Sequence, residues 1–122
     1  MKFCHVALSV KNLDASLQFY QEMVGLSLNR RFNAGPHMEI AFLGSGDTEI
    51  ELICDPSAPK HETKLGAGIL LGFVTDSLED MIAKLREKGY ETDGNIITPN
   101  PNMRFFIAQD PDGYHVQFIS LQ

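Results

Sequence analysis

The chain is poor in the features that would place it in several large protein classes. It has only two cysteines, Cys4 and Cys54. They form neither a metal-knuckle spacing nor a disulfide framework, so two buried, reduced thiols are expected. Basic residues are outnumbered: 10 Lys and Arg stand against 16 Asp and Glu, for a formal net charge of −6. That balance argues against a nucleic-acid partner and against an anionic membrane, since both call for clustered Lys and Arg. No apolar run approaches the length of a membrane span. Met1-Lys2-Phe3-Cys4-His5 reads as the start of a strand and not as a signal peptide. A cytoplasmic location is the expectation.

What is present is enough for a packed core. A hydrophobic share of 43% over 122 residues suits one domain. That domain is internally duplicated. Val10 ends an apolar stretch, a helical pattern follows, and Gly25 closes it; Val74 and Gly89 repeat the pattern 64 residues later. The segment 42–53 lies against 108–119 at an offset of 66. The reading is an α+β fold of two tandem βαβββ modules whose curved mixed sheets surround a cleft. Module one covers 1–55, a polar, proline-containing linker 56–66, and module two 67–122.

Local signals support this. Leu13, Leu17, Tyr20 and Val24 recur at helical spacing, as do Leu78, Met81, Ile82 and Leu85. Asn12 or Asp14, and Asp76 or Ser77, can cap the two helix starts, while Gly25 and Gly89 suit the left-handed residue that stops a helix. Strands are predicted over 2–10, 26–33, 37–44, 47–54, 67–75, 90–97, 103–109 and 114–121. Asp110-Pro111-Asp112-Gly113 has turn residues in turn order and is read as a hairpin.

Strand parity then sorts the polar residues, because alternate side chains point to opposite faces. Cys4, Val6, Leu8 and Val10 form an apolar face for the helix, leaving His5 on the other. Ile50 and Leu52 leave Glu51 on that second face, and Val116 and Phe118 leave His115 and Gln117 there. By the repeat, His5 corresponds to Ile69 and Glu51 to Gln117. Ile69, Leu71 and Phe73 are expected to make an apolar pocket wall. Arg30, Arg31 and Arg104 are candidate contacts for a substrate carboxylate or phosphate, with a solvated face the preferred reading of the adjacent Arg30-Arg31 pair. His37 and His61 are read as surface residues.

The stretch from His5 to Tyr20 with Gly25-Leu26, together with Ile50-Glu51-Leu52 and Asp110–Tyr114, resembles the vicinal oxygen chelate superfamily. That group includes glyoxalase I, fosfomycin-resistance thiol transferases, methylmalonyl-CoA epimerase, extradiol dioxygenases and bleomycin-resistance proteins. The resemblance implies a metal site on the first and last strands of each module. His5, Glu51 and Gln117 then become the metal ligands, with Glu51 also the catalytic base and His115 an extra ligand or cleft-lining residue. Ile69 stands where a second histidine is usual, and Gln117 where a glutamate is usual. The implied cofactor is a divalent ion such as Ni, Zn, Mn or Fe. The implied activity is that of a metal-dependent glyoxalase I-like (lactoylglutathione lyase-like) isomerase or lyase on a small oxygenated substrate. The alternatives are metal-free small-molecule binding of the bleomycin-resistance kind, and metal-dependent thiol transfer or dioxygenation. A homodimer is expected.

Overall fold

Gly25 and Gly89, the two expected helix stops, both hold a left-handed backbone, with φ of 84° and 82°. They close equivalent helices in a computed structural model that describes residues 1–57 and 68–122. The chain divides into two compact units, Met1–Glu62 and Thr63–Gln122. The linker expected over 56–66 lies, apart from residues 56 and 57, outside the described residues, as does His61.

The first unit runs β1 (His5–Ser9), α1 (Leu13–Gln18), β2 (Leu28–Asn33), β3 (Glu39–Leu43) and β4 (Glu49–Cys54). The second repeats it as β5 (Leu70–Val74), α2 (Leu78–Glu87), β6 (Ile97–Asn100), β7 (Met103–Gln109) and β8 (His115–Leu121). Each unit holds a four-stranded mixed sheet, in the orders β1-β4-β3-β2 and β5-β8-β7-β6. The first strand of each pairs in parallel with the last, and the remaining pairs are antiparallel. This is the two-module vicinal oxygen chelate fold.

The caps come from Asn12, whose Oδ1 accepts from the Ala15 amide at 3.0 Å, and Ser77, whose Oγ accepts from the Asp80 amide at 3.2 Å. After Gln18 the first helix widens into π-type turns over Phe19–Met23, with the Val24 amide donating to the Phe19 carbonyl five residues back. The wider turn changes the phase of the apolar stripe. Met23 is buried where Val24 was expected, and the adjacent Phe19 and Tyr20 are both fully buried. Unit one also buries Leu8, Ala41, Leu43 and Leu52; unit two buries Leu78, Met81, Ile82 and Leu85 of α2 together with Phe106, Val116 and Phe118 of its sheet. Each fully buried Leu or Phe contributes roughly 1.5–3 kcal/mol. Each unit therefore carries its own core.

The hairpin before β8 is organised by Asp110, only 5% exposed. Its Oδ1 accepts from the amides of Asp112 and Tyr114, both at 2.9 Å, and Gly113 turns the chain at φ 92°. The strand expected over 90–97 is displaced to Ile97–Asn100, leaving only a bridge between Thr92 and Ala108 upstream. Gly94, at φ 67°, interrupts the extended run, and the Asp93 carbonyl before it is fixed by Arg86 at 2.9 Å. Pro99 is tolerated because β6 is an edge strand. Among the described residues no helix is long and apolar enough to cross a membrane.

Candidate functional site

The sheet face turned away from α1 carries the expected site residues of the first unit. Parallel pairing of β1 with β4 sets His5 opposite Glu49 and Ala7 opposite Glu51. Leu8 and Leu52, one residue along, go to the helix side and are buried, so His5 and Glu51 share the far face. There the His5 Nε2 lies 3.4 Å from the Glu51 Oε1. The Glu51 side chain is 14% exposed and that of His5 39%.

Three contacts orient the imidazole and its surroundings. Its ring meets Phe42 edge to face, with centroids 5.7 Å apart at 87°. Its Nδ1 lies 3.4 Å from the Cys4 Sγ. Glu49, its register partner, accepts from Asn29 Nδ2 at 3.0 Å and from Arg30 at 3.2 Å. Those two donors, with the Asn29 bond foremost, and the nearby His5 hold the Glu49 carboxyl below the usual carboxylate range. Phe42 sits opposite Glu51 across the β3–β4 pair and opposite Arg30 across β2–β3. Arg30 lays its guanidinium over the Phe42 ring, 4.2 Å from the centroid. Sequence reading did not single out Phe42 or Glu49. Pairing backward from Glu51 through the 43–49 hairpin was the available signal.

Two donors on one tetrahedral ion, with bonds of about 2.1 Å, lie roughly 3.4 Å apart. The His5–Glu51 separation fits such an ion. Among the described residues, however, no group of three or more His, Cys, Asp or Glu side chains comes together. The first unit therefore offers two donors side by side, one imidazole and one carboxylate.

In the second unit Gln117 pairs with Gly72 on β5 and Ile107 on β7, while His115 pairs with Leu70 and Gln109. Both are half-buried on the face away from α2. The register corrects the expected counterpart of His5. His5 lies opposite the residue two before Glu51; the residue opposite His115, two before Gln117, is Leu70. Ile69 precedes the strand. The offset of 64 between Gly25 and Gly89 slips to 65 at the caps Asn12 and Ser77 and throughout β5, the first helix holding one residue more in its π-type turns, so Val10 is buried while Val74 is 68% exposed. Leucine, like isoleucine, offers no donor.

The same slip moves the expected apolar wall. Leu71 and Phe73 stand in register with the buried Val116 and Phe118, and the Phe73 ring lies 6.4 Å from that of Phe118. They face the helix side, half-buried. The β5 residues sharing Gln117's face are Leu70, Gly72 and Val74; a Cβ on Gly72 would come within 3.5 Å of the Gln117 Oε1.

Arg104 is also reassigned. It shares strand parity with the buried Phe106 and Ala108, and it is tied to Glu79 in the first turn of α2 at 2.6 Å. It is therefore committed on the helix side. Arg31 is likewise engaged there by Asp14 at 2.9 Å and Glu39 at 2.7 Å. Both cysteines are free, but Cys4 is exposed and Cys54 half-buried, so neither is the buried thiol expected; burial on that face of β1 becomes complete only at Leu8. His37 is exposed, as expected.

The glyoxalase/bleomycin resistance protein/dioxygenase superfamily model matches residues 2–118. Lactoylglutathione lyase of Neisseria meningitidis serogroup B is 30% identical, over 98% of this chain and 90% of that protein. Among solved structures, a glyoxalase family protein from Bacillus cereus superposes with a TM-score of 0.87 at 20% identity, covering 99% of this chain and 94% of the other. TnmS3, an antibiotic binding protein from Streptomyces sp. CB03234, gives a TM-score of 0.73 at 24% identity, covering 100% and 97%. With the duplicated sheets and the His5–Glu51 pair, these matches establish that the chain belongs to the glyoxalase/bleomycin resistance protein/dioxygenase superfamily.

Proposed function

We propose that the protein is a glyoxalase-like isomerase or lyase acting on a small oxygenated substrate, with a divalent ion held by His5, Glu51 and Gln117. The observation that carries the reading is the 3.4 Å approach of His5 Nε2 to Glu51 Oε1 on one sheet face. The 30% identity to a lactoylglutathione lyase supports the reaction class. Gln117, from this chain or from a second copy in a homodimer, adds an amide oxygen as a neutral third donor. A bound ion would polarise two neighbouring substrate oxygens and steady the anion left by proton loss.

The remaining chemistry falls to the chain. Glu51 is the one carboxylate at a mapped site position, so it is the base that takes a proton from one substrate carbon and returns it to the next. Its low exposure limits competition from water. Phe42 holds the imidazole ring in place. With Leu70 opposite His115 and Gln117 in place of a carboxylate, the site has one imidazole and one negative charge fewer than a full donor set, so it holds the ion less tightly than that set would.

The test is metal content after chelator-free purification and after reloading with Ni, Zn, Mn or Fe(II), with His5→Ala as control, followed by a methylglyoxal–thiol isomerisation assay. Near-stoichiometric metal that the variant loses, with turnover, supports the reading; no uptake by either form overturns it. In that case a metal-free small-molecule binding protein is the second reading. The feature favouring it is the non-ligating Leu70, Gly72 and Val74 row beside Gln117.

A further inference from the structure

We propose that Arg30 is a specificity-determining residue that reads a carboxylate on the substrate. Of the chain's four arginines, three are committed elsewhere. Arg31 is held by Asp14 and Glu39, Arg104 by Glu79, and Arg86 by the Asp93 carbonyl. Arg30 alone shares the face of His5 and Glu51. Register pairs run in one transverse row across the sheet, Arg30 to Phe42 to Glu51 to Ala7. Two strand spacings put the Arg30 backbone about 10 Å from that of Glu51.

The guanidinium is placed but not consumed. Phe42 supports it at 4.2 Å, and Glu49 takes a single N–H bond at 3.2 Å from a group that has five donors. The side chain remains 52% exposed. Glu49 is itself pinned by Asn29 and only 22% exposed, so it anchors one edge of the fork and leaves the rest facing outward. A planar fork held on an aromatic ring suits a carboxylate, which it can grip through two parallel bonds. The fitting substrate has its reacting oxygens at His5 and Glu51 and a carboxylate reaching past Phe42. This deepens the reading above, on which it rests for the choice of probe.

The experiment is calorimetric titration of the full chain with S-lactoylglutathione, which carries carboxylates, and with its diethyl ester, which does not. Arg30→Met keeps the stem over Phe42 and removes the charge; circular dichroism and a melting curve establish that the variant is folded. The expected result is about tenfold weaker binding of the acid, with the ester unchanged. Equal loss for both probes, no change for either, or no binding of the acid by the unaltered chain overturns the proposal. Measuring metal uptake of the unaltered chain beside both probes separates the two readings. An acid-over-ester preference that Arg30→Met removes, in a chain that takes up no metal, leaves Arg30 standing while the metal chemistry falls, and normal metal uptake with no Arg30-dependent preference does the reverse.

Discussion

Replacing Phe73 and Val74 one at a time measures the register of β5 directly. Phe73 pairs with Phe118 and packs toward α2, whereas Val74 is 68% exposed on the other face. Burying a whole Phe side chain is worth about 1.5–3 kcal/mol, and an aromatic pair adds about 0.5–1.5 kcal/mol. Phe73 is only partly buried, so Phe73→Ala should lose about 2–3 kcal/mol once the cavity is included. Val74→Ala removes two exposed methyls and should stay within about 0.5 kcal/mol. At about 2.1 cal/mol/K per residue, unfolding entropy for a chain of this size converts 1 kcal/mol to about 4 °C. Phe73→Ala should therefore melt about 8–12 °C early and Val74→Ala within about 2 °C of the parent. Urea titration with an unchanged slope checks that the loss is one of stability. A larger loss for Val74→Ala than for Phe73→Ala would refute the register, and with it the reassignment of Leu70, Leu71 and Phe73.

The same register predicts that Leu70→His, on the face of Gln117, raises divalent-ion affinity by about tenfold in equilibrium dialysis, while Ile69→His does not. Asp110→Ala, which strands two turn amides, should cost about 1–3 kcal/mol in urea unfolding. The Glu49 carboxyl is lowered by Asn29 and Arg30. Its contribution is thus present above the ordinary carboxylate range and lost as pH falls through the depressed folded value. The stability gap between the parent and Asn29→Ala, compared by urea unfolding near pH 7 and near pH 3, should shrink at the lower value; a gap that grows would contradict the sign.

Much of the fold was legible because its signals are local. Asn12, Ser77, Gly25 and Gly89 act through their own backbone neighbours, and the Asp110 turn closes within five residues. His5 and Glu51 were found because parity is reliable inside a strand flanked by residues as clearly buried as Leu8 and Leu52. The second unit was harder. The repeat offset was measured across the helix, where Val10 and Val74 look alike, yet one is core and the other surface. A one-residue slip exchanges the two faces of a strand, and so it exchanged Leu71 and Phe73 for Leu70, Gly72 and Val74. Arg104 and Arg30 could not be told apart by residue type. What separates them is Glu79, which is 25 residues from Arg104 and adjacent only once α2 is packed.

Each module folds around side chains on the helix side of its own sheet, so the opposite surface is relieved of structural duty. Mutation can exchange an imidazole for a leucine, or a carboxylate for an amide, in one half without loosening either core. A duplicated chain built this way can drift in chemistry one copy at a time, keeping a working half while the other explores new ligands.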